Sequence, residues 1–306
     1  MKKNNDKFYT KPEIADDLIK FLLSKVDIDE NDIIIEPSAG NGSFSNNSNL
    51  IKYKVEAYDI LPESKNVKKM NWFDYKPMKE DYIIIGNPPF GERSLLAIDF
   101  FNKASFANLI AFVLPVSFCK YSTQKMLDEN FKLAFEIKLP QESFLDNGKD
   151  YSVRTVFQIW IKKNSKYDIF EKDYRKKSPP DKSHKDFKIW QYNATKQSEN
   201  VIEEDWKYAV YRQGYHDYGK IFTKKDKEYI KNCMLGCKET NYKKQQFFFI
   251  KPLNELSEII IKKMDFNELA ERNTATPGFG KADFVEHYKE LIGEYNGNTP
   301  SCAYSI

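Results

Sequence analysis

The sequence predicts an α/β fold, a doubly wound sheet followed by a smaller C-terminal α+β domain. Three observations lead there. Apolar runs without polar alternation, such as Tyr82-Ile83-Ile84-Ile85-Gly86, are characteristic of strands buried on both faces. These runs alternate with segments of helical spacing, as in a parallel sheet covered by helices. One run, residues 32–36, leads straight into the turn Pro37-Ser38-Ala39-Gly40-Asn41-Gly42. Loops of that kind bind ligands outside the carboxyl ends of doubly wound strands.

Taken in order, Ile14, Leu18, Phe21, Leu22 and Val26 fall at helical spacing and predict a helix over 12–25, with Thr10 before Pro12 as its start. A strand at 32–36, a short helix around 44–51 and a strand at 55–59 follow. The run at 82–86 is a third strand. Residues 95–107 read as helix and 109–114 as a buried strand ending at Pro115. Strands at 135–139 and 155–162 close the sheet, separated by the turn Asp146-Asn147-Gly148-Lys149-Asp150. The first domain is therefore expected over 1–164. The charged stretch 165–188, which contains Lys176-Lys177-Ser178-Pro179-Pro180, reads as a linker or exposed loop. Beyond it come strands at 187–192 and 206–211, a lysine-rich helix near 224–235, the run Phe247-Phe248-Phe249-Ile250, and helices near 253–271 and 281–293. No internal repeat is evident, so 165–306 is a second domain and not a copy of the first.

Composition narrows the class. With 306 residues, 41% of them hydrophobic and 15% aromatic, the chain can bury a sizeable core and is not of a disordered type. A net charge of +3 neither demands nor excludes nucleic acid. No apolar run reaches the ~20 residues of a membrane span, so no membrane partner is expected. The start, Met1-Lys2-Lys3-Asn4-Asn5-Asp6, does not read as a secretory signal. Cysteines at 119, 233, 237 and 302 form no disulfide framework, and an intracellular (cytoplasmic) location is the simplest reading. Cys233 and Cys237 lack the second pair that a zinc site needs, so no metal is assigned.

Two motifs carry chemistry. Gly40 and Gly42 have no Cβ, so backbone there can approach a ligand closely. A dinucleotide site calls for G-x-G-x-x-G, whereas only Gly40-Asn41-Gly42 is present, with Phe44 where a helix should pack. Glu36 before the turn suits a cationic amino-acid moiety better than a pyrophosphate. Asp59, closing the second strand, suits the two hydroxyls of a ribose. The second motif is Asn87-Pro88-Pro89-Phe90. Two prolines stiffen the chain and remove two backbone donors, leaving the Asn87 side-chain oxygen and the Pro88 carbonyl as acceptors. Two acceptors at one amino group draw its hydrogens out of plane and free the nitrogen lone pair. Asn87 is no base, so its role is orientation and hydrogen bonding. Phe90 offers a face for a planar base, worth roughly 1–3 kcal/mol. A cofactor turn beside a rigid acceptor corner points to methyl transfer from S-adenosylmethionine to an exocyclic or amide nitrogen.

On these motifs the chain resembles the S-adenosylmethionine-dependent N6-adenine DNA methyltransferases whose cofactor motifs precede the target-recognition region. Phe8-Tyr9-Thr10-Lys11-Pro12 matches the family's N-terminal segment, which lines the methionine end of the cofactor. Glu36-Pro37-Ser38-Ala39-Gly40-Asn41-Gly42 matches the glycine motif, Asp59 with Ile60 beside it the ribose-binding acid, and Asn87 to Phe90 the catalytic tetrad. The family's acid-aromatic pair for the adenine ring falls at Asn71-Trp72, a departure from the usual acid, with Asp74 close by. The resemblance spans about residues 7–162. It implies a Rossmann-like sheet, S-adenosyl-L-methionine as cofactor, and a target adenine flipped out of duplex DNA. Phe144, Lys149, Tyr151 and Arg154 lie where they would help hold that base.

The second domain is then the reader of the target. Lys162, Lys163, Lys166, Lys172, Arg175, Lys176 and Lys177 form a basic stretch able to meet phosphates, or a solvated linker. Tyr208, Tyr211, Arg212, Tyr215, His216 and Tyr218 read either as a stacking surface or as core. The stretch Asn273-Thr274-Ala275-Thr276-Pro277-Gly278-Phe279-Gly280-Lys281 has room for a phosphate but not the P-loop spacing. The expected activity is methylation of adenine N6 in DNA. RNA adenine, protein glutamine, and a catalytically silent nucleic-acid-binding subunit are the alternatives.

Overall fold

The computed structural model describes residues 8–78, 81–214, 217–236, 244–273, 276–295 and 304–305. The chain divides into two units, residues 1–178 with 302–306, and residues 179–301.

The first unit contains strands β1 (Tyr9–Thr10), β2 (Ile33–Glu36), β3 (Lys54–Asp59), β4 (Lys68–Lys69), β5 (Tyr82–Gly86), β6 (Leu109–Pro115), β7 (Phe131–Lys138), β8 (Phe144–Asp146), β9 (Lys149–Tyr151) and β10 (Thr155–Lys162). Its helices are α1 (Pro12–Lys25), α2 (Leu95–Lys103) and the short α3 (Tyr121–Gln124). The main sheet runs β7-β10-β6-β5-β2-β3-β4. It is parallel from β6 to β4, and β10 is antiparallel to both β6 and β7. Strand side chains alternate between faces, so the triple isoleucine of β2 feeds both sides. Ile33 and Ile35 join one apolar cluster with Ile84, Ile110 and the α2 residues Ile98 and Phe101. Ile34 joins another with Ile83, Ile85 and the α1 residues Leu18, Ile19 and Leu22. The expected Rossmann-like, doubly wound sheet is therefore present.

From β2 the chain moves outward through β3 and β4, then returns to place β5 on the other side of β2. The two loops leaving β2 and β5 thus diverge at one point of the sheet, the topological switch where doubly wound folds open a crevice.

Three local expectations are corrected. No α-helix follows the glycine turn: residues 44–51 form turns and a three-residue 3-10 segment, Ser48–Leu50. Short polar side chains capture the backbone there, with Asn41 Oδ1 accepting from Ser43 N (3.2 Å) and Asn47 Oδ1 from Asn49 N (2.9 Å). The first helix begins at Pro12 behind Lys11, because Thr10 belongs to β1, paired with Phe144 of β8. Finally, the stretch 165–178 is no linker. Tyr167 Oη donates to the buried Asp32 (2.6 Å), Asp173 Oδ1 accepts from Leu133 N (3.2 Å), and Lys132 pairs with Asp168. Arg175 donates to the carbonyls of Gln124, Leu127, Asp128 and Phe131 at 2.6–2.9 Å. Lys166 meets Asp32 at 2.5 Å, Lys162 and Lys163 donate to the Ser105 and Glu129 carbonyls, and Lys177 pairs with Asp173. With Arg175, five cations of the supposed phosphate-binding stretch are thus spent within the unit.

The second unit is a four-stranded antiparallel sheet in the order β11-β14-β12-β13, built from β11 (Phe187–Tyr192), β12 (Tyr208–Gln213), β13 (Ile221–Thr223) and β14 (Gln246–Pro252). Helices α4 (Lys227–Leu235), α5 (Glu255–Lys263), α6 (Phe266–Ala270) and α7 (Lys281–Tyr295) accompany it. One long helix was expected where α5 and α6 stand. The chain turns extended at Met264, and Asp265 starts α6 by accepting from the Asn267 and Glu268 N–H groups. Tyr208, Tyr211 and Tyr218 are core residues here, which removes them as a stacking surface. Tyr215, His216, Cys237, Thr274, Ala275 and Cys302 lie outside the described residues. The last strand, β15 (Tyr304–Ser305), returns to the first unit and runs parallel to β7.

Candidate active site

The crevice is built from the residues that end β2, β3 and β5. After Glu36, the turn is fastened to the end of β3: Ala39 N donates to Tyr58 O (2.9 Å), and Gly40 N donates to Asp59 Oδ2 (2.8 Å). Leu61 N occupies the other oxygen, Asp59 Oδ1, at 2.7 Å. Each oxygen keeps a further lone pair, so Asp59 is oriented without being used up. Gly40 and Gly42 have φ of +51° and +82°, where a side chain is strained, and a Cβ on Gly40 would overlap the Tyr9 ring. Tyr9 therefore lies across the turn.

Glu36 is 2% exposed. It fits because the last residue of β5 is a glycine: a Cβ on Gly86 would stand 3.2 Å from Glu36 Cγ. Gly86 thus belongs to the site, and its position directly before Asn87 was the signal available in the sequence. Glu36 Oε2 accepts from Ser45 N at 2.8 Å. Burial raises its pKa to about 7, against the pull of the Ser45 and Phe44 N–H groups and with a push from Asp59. A carboxyl so placed is incompletely charged near neutrality and gains most from a cation beside it.

The acceptor corner adjoins this turn. Ser38 Oγ donates to the Asn87 carbonyl at 3.2 Å, tying the loop after β2 to the loop after β5. The Asn87 side-chain oxygen is shielded from solvent and has no hydrogen-bond donor, and the Thr10 hydroxyl is in the same condition. Leaving a buried acceptor unmet costs about 1–3 kcal/mol, so nothing in the fold itself rewards the placement.

Other predicted residues stand differently. Phe90 is only 7% exposed and meets Phe8 edge to face at 5.2 Å, so it presents no open stacking face. Phe8 also touches Phe144 and stacks on Tyr151 at 5.2 Å, and Tyr151, 37% exposed, is the ring of this cluster most open to solvent. Trp72 is corrected from ring contact to core: it is 1% exposed, stacks on Tyr75, and donates Nε1–H to Phe100 O at 3.4 Å. Its neighbour Phe73, 41% exposed, is the accessible aromatic. Asn71 is exposed, its side-chain oxygen accepting from Phe73 N at 3.2 Å. Ile60 is exposed beside Asp59, whereas Pro12 stands exposed at the first turn of α1, where it starts the helix.

No family model and no curated protein matches the chain. Among solved structures it is similar to a proposed RNA methyltransferase from Pyrococcus horikoshii, with 16% identity, 49% of this chain and 84% of that one covered, and a TM-score of 0.38. It is also similar to the methyltransferase subunit of a type I restriction-modification system from Streptococcus thermophilus (18%, 52% and 45%, TM-score 0.36). A proposed class I S-adenosylmethionine-dependent methyltransferase from Listeria monocytogenes gives 14%, 52% and 62%, with a TM-score of 0.39. The chain spans less than half of the Streptococcus subunit and under two thirds of the Listeria protein. Likenesses this loose carry no weight for function, which rests on the site.

Proposed function

We propose that this protein transfers a methyl group from S-adenosylmethionine to the exocyclic amino nitrogen of a nucleic-acid base, N6 of adenine in DNA being the favoured acceptor. The observation that carries this reading is the unpartnered, buried Asn87 oxygen on a corner hydrogen-bonded through Ser38 to the glycine turn. The residues present suit the cofactor. Asp59 has lone pairs left for ribose hydroxyls, Glu36 has one for an ammonium group, and exposed Ile60 offers an apolar side chain to the flank of a purine. The Thr10 hydroxyl beside the Tyr9-covered turn lacks a partner and has one to gain.

Bound S-adenosylmethionine supplies a methyl carbon made electrophilic by its sulfonium sulfur. The chain's own task is to orient the acceptor. Asn87 Oδ1 and the Pro88 carbonyl accept the two N–H groups of the amine and turn its lone pair away from the ring. Pro88 and Pro89 keep the two oxygens fixed, so little reorganisation is needed as charge develops. Neither oxygen removes a proton beforehand; the amine sheds it to water once its nitrogen has gained the methyl.

Replacing Asn87→Ala should lower methyl transfer by about 10²–10³-fold, the usual loss for one positioned polar group, while cofactor affinity changes little. Tritium transfer from labelled cofactor into duplex DNA, structured RNA and protein fractions tests activity and acceptor class together. A variant as active as the parent refutes the mechanism.

A further inference from the structure

Immediately after the acceptor corner the backbone takes an uncommon path. Gly91, Arg93 and Ser94 all have left-handed φ, at 67°, 52° and 66°. L-residues adopt that conformation singly and rarely, and such outliers cluster where function over-determines the structure. The turn is held from every side. Ser94 Oγ bonds Ser117 Oγ at 2.8 Å, Ala97 N donates to Phe90 O at 3.3 Å, and a Cβ on Gly91 would come 2.6 Å from Leu96 Cβ. The result is a fixed, exposed arginine three positions beyond Phe90.

Many cations of the first unit are engaged. Lys11 pairs with Asp150, next to Tyr151 of the aromatic cluster, and elsewhere in the unit Lys20 pairs with Asp16, Lys52 with Glu30 and Lys166 with Asp32. Among the described residues the Arg93 side chain has neither an ion pair nor a hydrogen bond, even with adjacent Glu92, and exposed Lys149 at the start of β9 is equally free. The rings Phe90, Phe8 and Tyr151 connect the two places, each successive pair 5.2 Å apart. Two unspent cations therefore flank the aromatic cluster at the acceptor corner.

We propose that Arg93 grips a backbone phosphate of the strand carrying the acceptor base, with Lys149 as a second, weaker contact. A guanidinium offers paired donors in a fixed fork that fits a phosphate, and a backbone locked in place loses little freedom on binding. The inference rests on the nucleic-acid reading above and sharpens it, since a nucleic-acid strand places a phosphate beside every base.

The test is the salt dependence of binding to fluorescein-labelled duplex DNA and to RNA of random sequence, alongside a separate methyl-transfer assay. Arg93→Ala should weaken binding about 5–10-fold and reduce the slope of log affinity against log salt by about one. Arg93→Lys should restore the slope, and Lys20→Ala should leave it unchanged. Cofactor affinity and melting temperature should match the parent in all three. An unchanged slope for Arg93→Ala overturns the proposal, including the case where affinity falls for structural reasons. A parent enzyme that methylates only protein overturns the acceptor reading as well. Methylation of nucleic acid with an unchanged slope removes the grip alone.

Discussion

At the residue scale, Glu36 makes the sharpest claim about solution behaviour. Its pKa of about 7 lies above the ordinary carboxyl value of 4.5 because burial penalises the charge. In the folded protein the neutral form is therefore favoured. The fold is not penalised below pH 4.5, where the group is protonated in both states. The penalty grows as pH rises and is complete above about 7. A shift of this size corresponds to roughly 3 kcal/mol, so Glu36→Gln should raise the melting temperature of the ligand-free protein at pH 8 and leave it nearly unchanged at pH 4. Cofactor binding should show the opposite sign. An ammonium needs the carboxylate, so affinity should fall as pH drops below about 7, with proton release on binding, and Glu36→Gln should abolish that release. Calorimetry in buffers of different ionisation enthalpy measures it, and binding without proton release would remove Glu36 from the cofactor's cationic end. Gly40→Ala tests the neighbouring turn. The new methyl meets the Tyr9 ring at a left-handed φ, so stability should fall by about 1–2 kcal/mol and cofactor affinity with it.

At the scale of elements, the segment 165–178 is the clearest surprise. Its charges and following prolines read as a linker, yet it wraps the first unit and caps several of its ends. Arg175 alone serves four main-chain carbonyls around α3 and the start of β7. Arg175→Ala leaves them without their donor and should destabilise the unit by about 2–4 kcal/mol. A chain cut after residue 164 should melt lower than one cut after 178, as followed by circular dichroism; equal melting points would return the segment to linker status. The stretch 41–49 teaches the same lesson in reverse. A short helix was expected around 44–51, but serines and asparagines in turns outbid an unstarted helix for the backbone N–H groups.

For the whole molecule, the division at 178/179 has its own consequence. The second unit carries a core of its own around Trp206, Tyr211, Phe247, Phe249 and Phe284. Residues 179–301 produced alone should therefore unfold cooperatively, a result that thermal scanning can check. Failure to fold would show that its core depends on the first unit. The arrangement of the first unit explains why chemistry gathers where it does. Reversal of strand order beside β2 leaves an opening at one end of the sheet, and the turns at 37–42 and 87–90, far apart in the chain, leave the sheet there.

The sequence by itself determined the central strands β2, β3, β5, β6 and β10 and the two turns that leave β2 and β5. Unbroken isoleucine runs, a glycine turn and a double proline impose local geometry whatever surrounds them. Only the tertiary structure decided which of these residues are accessible. Trp72 and Phe90 look like ligand rings in the sequence, but packing closes over both and leaves Phe73 and Tyr151 at the surface. It also decided that Ser38 bonds Asn87, that Gly86 makes room for Glu36, and that Arg93 stands unpaired. Burial and pairing are properties of neighbours in space, and the spacing of residues along a chain does not encode them.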